Sequence, residues 1–331
     1  MMRNSLIFIT GIIILILLAI FSMYIGRYPI TLDELFHFIF TNDHYDSNLP
    51  VILLNIRLPR IISAIAIGGA LSIAGAAYQG MFRNPMVSPD ILGVTSGAGL
   101  GASAAILYSF PLIIVQLFSF IGGLSSVFLA VSVSRCISKS KNAILILVLS
   151  GMVISSLCGA MLSMIKYVAD PDDKLPAITY WLMGSLSDIK MSDLYIVLPI
   201  ILIGSVPLIL VGWQLNILSF GDDEAKSLGI NTSLLRTIVI ICASLVTASV
   251  VSISGIIGWV GLIIPHITRM IVGPNHQVLI PASFLCGSIF LLLVDNIVRS
   301  ISAVEIPIGI LTAIIGTPFF IFFLNKSKLS W

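Results

Sequence analysis

Residues 6–23 read LIFITGIIILILLAIFSM, a run in which only Thr10 and Ser22 carry polar side chains and no position carries a charge. A helix needs about 20 mostly apolar residues to cross roughly 30 Å of hydrocarbon. The run is too long for a signal-peptide core, and no small-residue cleavage site precedes Tyr28-Pro29, so it reads as a first spanning helix over 6–26. Working outward, nine more segments pass the same test: 61–82, 91–108, 111–133, 143–165, 194–213, 235–253, 256–272, 278–298 and 306–324. The joints at Ser109-Phe110-Pro111 and Ser254-Gly255 are very short. The expected fold is all-α and integral to the membrane, with about ten transmembrane helices in a single domain, 1–331.

Composition agrees. A chain of 331 residues that is 58% hydrophobic and 10% charged has too little polar surface to cover a soluble globule. Its net charge of +2 comes from scattered residues and offers no basic face, which excludes nucleic acid as a partner and leaves membrane lipid as the surroundings. The four cysteines, Cys136, Cys158, Cys242 and Cys286, lack metal or redox spacing and read as packing residues.

Orientation follows from Lys and Arg, which are retained on the cytoplasmic side. With the amino terminus inside, Arg3, Arg83, Arg135, Lys139, Lys141, Lys226, Arg236, Arg269, Lys326 and Lys328 fall on the inner side. Arg27, Arg57, Arg60, Lys166, Lys174, Lys190 and Arg299 fall outside. Among the acids only Asp90, Asp222, Asp223 and Glu224 fall inside. The chain is therefore expected in the cytoplasmic membrane with both termini cytoplasmic. The longest polar stretches, Arg27 to Arg60 and Lys166 to Asp193, would lie outside, and Ala177 to Leu186 with Trp181 predicts a short helix at the outer face. Gly68, Ser72 and Ala76, like Gly93, Gly97 and Gly101, recur every fourth residue, a spacing that lets helix backbones approach closely in lipid.

The spans are nearly free of the ionisable groups that ion-coupled transporters place deep in the bilayer. Asp295 and Arg299 can pair as i,i+4 neighbours near the outer end of the ninth span. Arg269 lies near an inner end, and His266 reads as a residue bonded to a neighbouring span. A secondary transporter would need His266 or Asp295 as its coupling site. There is no G-x-x-x-x-G-K-[ST] loop, no H-E-x-x-H and no G-x-S-x-G, so no catalytic residue, metal ligand or cofactor site is expected. A polytopic protein without an engine is passive or borrows its energy from a partner.

Between the sixth and seventh spans, Gly221-Asp222-Asp223-Glu224-Ala225-Lys226-Ser227-Leu228-Gly229-Ile230 predicts a short cytoplasmic helix. Asp222 and Asp223 suit its start, Gly229 its stop, and Thr232 could cap the next span. Glu224-Ala225 followed by Gly229 resembles the coupling helix by which binding-protein-dependent ABC permeases dock on their ATP-binding subunit. Further stretches resemble one branch, the FecCD-type permeases for iron–siderophore, haem and cobalamin. They are Arg57-Leu58-Pro59-Arg60, Asn84-Pro85 with Pro89-Asp90-Ile91-Leu92-Gly93, Gly255 to Arg269 with Gly273-Pro274-Asn275-His276, Glu305-Ile306-Pro307-Ile308-Gly309, and Gly316-Thr317-Pro318-Phe319-Phe320.

The resemblance implies a type II ABC importer permease with two copies of an ATP-binding subunit below, an extracytoplasmic substrate-binding protein above, and a second permease copy or paralogue alongside. It implies ATPase coupling through Asp222, Asp223, Glu224, Ala225 and Gly229, and binding-protein docking through Arg57, Arg60 and Arg299. A planar guanidinium suits that second task because it pairs bidentately with carboxylate. Iron–siderophore is the substrate class expected first, with haem, cobalamin or a molybdate-like oxyanion as alternatives. The resemblance places the cytoplasmic gate near Lys139 to Asn142 and assigns no residue to it.

Overall fold

The computed structural model describes residues 2–26, 28, 30, 31, 33, 34, 48–137, 143–301 and 305–326. Arg27, Lys139 to Asn142 and Lys328 lie outside the described residues. Thirteen helices are numbered here in chain order: α1 Met2–Tyr24, α2 Leu49–Phe82, α3 Val94–Leu107, α4 Leu112–Ile137, α5 Ala143–Val168, α6 Lys174–Met183 and α7 Met191–Leu210, then α8 Gly212–Leu218, α9 Asp222–Ser227, α10 Thr232–Ser254, α11 Val260–Val272, α12 His276–Ile301 and α13 Ile308–Lys326. Seven of them (α1, α2, α4, α5, α7, α10 and α12) are long and apolar enough to cross a membrane, while α3, α11 and α13 are shorter apolar helices. Each apolar segment read from the sequence thus holds one helix.

The second segment belongs to a longer helix than its hydropathy indicates. Arg57 and Arg60 end the apolar run, but the backbone continues helically back to Leu49. Pro59 cannot donate an amide to the preceding turn, and the helix accommodates it by winding Ile52–Arg57 as a π-helix. This α2 is the axis of the molecule. Of its most apolar window 89% is buried, against 6% for α1, which presents Leu6, Ile9, Ile13 and Leu17 outward.

Close packing around α2 comes from its small residues. A Cβ on Gly68 would collide with the Gly287 carbonyl of α12, and one on Gly75 with the Gly261 carbonyl of α11. The second repeat acts likewise, since Gly97 and Gly101 of α3 face the Gly122 and Phe118 carbonyls of α4. Polar side chains inside the core bond within their own helix or across to a neighbour. Ser72 Oγ donates to Gly68 O at 2.8 Å, and Tyr78 Oη lies 3.0 Å from Ser244 Oγ on α10.

Two stretches turn back into the bundle without helical structure. After Arg83, in the left-handed region at φ 51°, the chain runs antiparallel to α2, so that Val87 lies by Gln79 and Pro89 by Leu71 and Gly261. Leu71 is about 16 Å along α2 from its end at Phe82. Asp90, read from the sequence as part of an inner loop, therefore stands deep in the bundle. Similarly, residues 255–259 descend from the end of α10 to Val260, where α11 begins beside α2. At 14 and 13 residues, α3 and α11 are about 20 Å long, short of a full crossing, and they start near the same level.

Non-helical backbone at such depth is tolerated only where protein satisfies it. Gln79 Nε2 donates to Val87 O at 3.5 Å, Ser126 Oγ to Gly93 O at 2.7 Å, and Thr95 N to Asp90 Oδ1 at 2.9 Å.

Gly75→Val should force α2 from α11 and destabilise the fold by about 1–3 kcal/mol or more. Gly159→Val, where a Cβ meets nothing within 4 Å, should leave stability unchanged. Melting temperature in detergent measures both, and equal stability of the two variants would contradict the packing.

Candidate functional site

At the amino-terminal end of α2, Arg57, Arg60 and Arg299 come together although they are far apart in sequence. They are 4%, 8% and 6% exposed, so each needs internal partners. Arg57 donates to the carbonyls of Met23, Tyr24 (3.0 Å) and Tyr28, closing the carboxyl end of α1, where a cation also suits the helix dipole. Arg60 Nε donates to Asp295 Oδ1 at 2.7 Å, and Arg60 Nη1 pairs with Glu305. Arg299 Nε is 3.5 Å from Asp295 Oδ2, and its Nη2 donates to Ser22 O at 2.8 Å and to Asn296. Asn296 Nδ2 donates to Ser22 Oγ at 2.7 Å, which binds α12 to α1.

These side chains surround a cleft of about 280 Å³ lined by Arg57, Arg60, Arg299, Glu305, Ser187 and Tyr28. Three guanidiniums face two carboxylates, leaving one net positive charge. Arg60 Nη2 is buried and has no hydrogen-bond partner among the described residues. The cleft's net positive charge suits an anion. The i,i+4 spacing of Asp295 and Arg299 was legible in the sequence; Glu305, quoted only as part of a family-like stretch, and Asn296 and Ser22 had no role there, because their roles appear only when α1, α2 and α12 meet. His266 lies half-buried on α11, away from this network.

Where the two unwound segments meet, a second cavity of about 230 Å³ is lined by Asp90, Thr95, Thr247, Gly258, Trp259 and Leu71, among others. No cation lines it. Trp259 caps α11 at φ +71°, a conformation a bulky residue adopts only at a cost of order 1–3 kcal/mol, and its ring packs on Phe320 of α13 with centroids 6.1 Å apart. The sequence marked both segments as family-like stretches but not as a cavity, since no hydropathy signal distinguishes a broken helix from a whole one.

The opposite end of α2 carries the segment predicted at 221–230. Its helical part is α9, preceded by Gly221 and followed by Gly229 at φ +82°, a left-handed position that favours glycine. Ala225 is fully buried, whereas Asp223 and Glu224 are exposed, and Phe220 and Leu228 are 76% and 66% exposed beside them. Asp222 turns inward. It accepts from Arg236 Nη2 of α10 at 2.6 Å and lies 3.9 Å from Arg83 Nη2 at the end of α2. Burial pushes the Asp222 carboxyl up, but the Arg236 hydrogen bond and the charges of Arg236, Arg83 and Lys226 outweigh it and hold the pKa below the ordinary value. The cap of α10 differs from expectation. Asn231, not Thr232, is the N-cap, its Oδ1 accepting from Leu234 N at 3.0 Å, while Thr232 is drawn into the helix and buried.

The arrangement offers an anion-accepting cleft at one end, an exposed acidic and apolar knob at the other, and a cavity at a break between them. Among the described residues no group of His, Cys, Asp and Glu could hold a metal ion.

Comparison with known proteins places this geometry. The model of the FecCD transport family matches residues 14–326. The molybdate import system permease protein MolB of Haemophilus influenzae is 41% identical over 324 residues, 96% of this chain and 94% of that protein. The cobalamin import system permease protein BtuC of Halobacterium salinarum is 41% identical over 280 residues, 84% of this chain and 74% of that protein. A solved structure described as an inward-facing conformation of a metal-chelate type ABC transporter superposes with a TM-score of 0.86 at 38% identity, covering 98% of this chain and 99% of that one.

Asp295 is 0% exposed and shared by two guanidiniums, so Asp295→Ala should destabilise the protein by about 3–5 kcal/mol. Glu305→Ala, which removes a carboxylate that is 17% exposed, should cost less than half of that. Urea or thermal melts in detergent give both values, and equal losses would contradict the distinction between the two acids.

Proposed function

The chain belongs to the FecCD transport family and is a permease of an ABC importer; from that premise we propose that it carries a metal chelate, iron–siderophore first, from an extracytoplasmic binding protein toward the cytoplasm. Energy arrives through α9. The observation that carries this reading is α9 itself, an exposed knob with Glu224 and Leu228 outward and Asp222 tied inward to both α2 and α10. A partner that grips the outer face of α9 acts on α2 and α10 through the Asp222 ion pairs. ATP hydrolysis belongs to that partner, present in two copies, and a second permease copy or a paralogue completes the path. Closure of the ATP-binding pair would tilt the spans between outward and inward openings.

The arginine cleft would receive acidic side chains of the binding protein. Its position at the far end of α2 from α9 supports this, because a solute delivered at one end must meet its energy source at the other. In this reading the amino terminus, the carboxyl terminus and α9 share the cytoplasmic side. The cavity at Asp90, Thr95 and Trp259 would form part of the path wall.

A second reading has a specific observation behind it. The likeness to MolB spans 96% of this chain, which favours a molybdate-like oxyanion. Against it stands the Asp90 carboxylate in a cavity lined by no cation among the described residues, a poor surround for a bare dianion and a tolerable one for a chelate that buries its metal. Competition between a labelled ferric hydroxamate and labelled molybdate for uptake separates the two. Uptake of the ferric chelate unaffected by excess molybdate is expected; uptake of molybdate alone would replace the first reading with the second.

Glu224→Ala should leave the protein folded and inserted while reducing uptake per ATP hydrolysed at least about tenfold, as expected for loss of a central interface contact worth about 2 kcal/mol. Normal uptake in that variant would argue against α9 as the docking element. Arg60→Lys keeps a cation beside Asp295 but loses the fork, and should weaken binding-protein docking about tenfold with a steeper salt dependence. Unchanged affinity would remove the docking role.

A further inference from the structure

Arg60 holds two carboxylates that differ in kind. Asp295 is 0% exposed, lies on α12 and takes Nε at 2.7 Å. Glu305 takes Nη1 and is 17% exposed; it belongs to the segment that leads into α13 and lines the cleft. The remaining arm, Nη2, is buried and has no hydrogen-bond partner among the described residues. A carboxylate entering the cleft would bind such a guanidinium best across Nη1 and Nη2, as two parallel hydrogen bonds. Glu305 already occupies half of that face.

We propose that Glu305 is a docking latch: its carboxylate occupies the arm of Arg60 that an acidic side chain of the binding protein takes, and docking releases it. The inference rests on the reading of the arginine cleft as the docking surface. Asp295 stays in place throughout, because it is buried and also serves Arg299. One acid replaces another on the same arm, so the exchange costs little in ion pairing. The apparent affinity for the binding protein is reduced by the fraction of permease in which Glu305 is closed.

Release of Glu305 has somewhere to act. Three residues later Ile308 N donates to Gly184 O at 2.9 Å, and a Cβ on Gly309 would meet the carbonyls of Met183 and Ile256. The first turn of α13 is therefore wedged between the end of α6 and the unwound segment before α11. Farther along, Gly316 packs against Trp259, and Phe320 packs on the Trp259 ring. Displacing Glu305 thus shifts a helix whose inner face abuts the cavity at Asp90 and Trp259. The latch makes occupancy of the cleft perceptible at the break in the bundle.

The test uses the permease with its ATP-binding subunit in lipid nanodiscs and the binding protein encoded alongside it as probe. Docking affinity and ATPase rate without the probe are measured for the native chain, Glu305→Gln, Glu305→Asp and Arg60→Lys. Glu305→Gln is expected to dock about tenfold more tightly and to hydrolyse ATP faster in the absence of the probe. Glu305→Asp, one methylene shorter, should fall between it and the native chain, and it carries the same expectation should Glu305→Gln melt early. A merely structural Glu305 would give weaker or unchanged docking in both variants, which overturns the latch. If Arg60→Lys docks normally, the docking reading itself fails. If Arg60→Lys docks weakly while Glu305→Gln gains nothing, only the latch is lost.

Discussion

Every backbone amide and carbonyl in an apolar medium must find a protein partner, and this requirement governs where the bundle can be broken. An unbroken helix meets it alone. Residues 83–93 do not, and they are tolerated because they lie against α2, where Gln79 donates to Val87 O at 3.5 Å; residues 255–259 rest instead on Trp181, Gly184 and Gly309, and the missing side chains of the two glycines let the backbones approach. The enclosed helix is thus a packing axis and a template for the first irregular segment. Each break depends on small residues at the surface it rests on.

That axis also joins two clusters of charged side chains, one at each end. Arg57 and Arg60 stand near the start of α2; Arg83 follows its end and reaches Asp222. The helix spans 34 residues, about 51 Å. Its arginines are fixed by partners on α1, α12 and the segment before α13, and its far end by α9 and α10. The ion pairs of α9 and those of the cleft are thus joined through one helix, and the two unwound segments lie between them. Buried ion pairs such as Arg60–Asp295 add little net stability, but they fix which helices move together.

Hydropathy revealed the ten apolar segments because burial in lipid depends on local composition, which a sequence states directly. It misjudged the start of α2, since Arg57 and Arg60 lower hydropathy without interrupting the helix. The short helix at 221–230 was legible from Asp222 and Gly229, whose preferences are local, whereas the choice of Asn231 over Thr232 as cap turned on which residue α10 would bury. Asp90 was misplaced for a different reason. Polar residues after a span read as a loop, and nothing local says that the loop folds back along the helix it has just left. The ion pair of Arg60 with Asp295 joins positions 235 apart and exists only through the packing of α2 on α12. Partners of that kind are set by tertiary structure.

The central claim is that this chain contains a path and no engine, so transport draws its energy through α9 from a separate ATPase. The direct measurement is uptake of a labelled ferric chelate into proteoliposomes that hold the permease, its ATP-binding subunit and its binding protein, with the ion gradients collapsed by ionophores. Uptake that persists without gradients and stops without ATP is the predicted result. Uptake that survives removal of the ATP-binding subunit and follows an imposed proton or sodium gradient would contradict it.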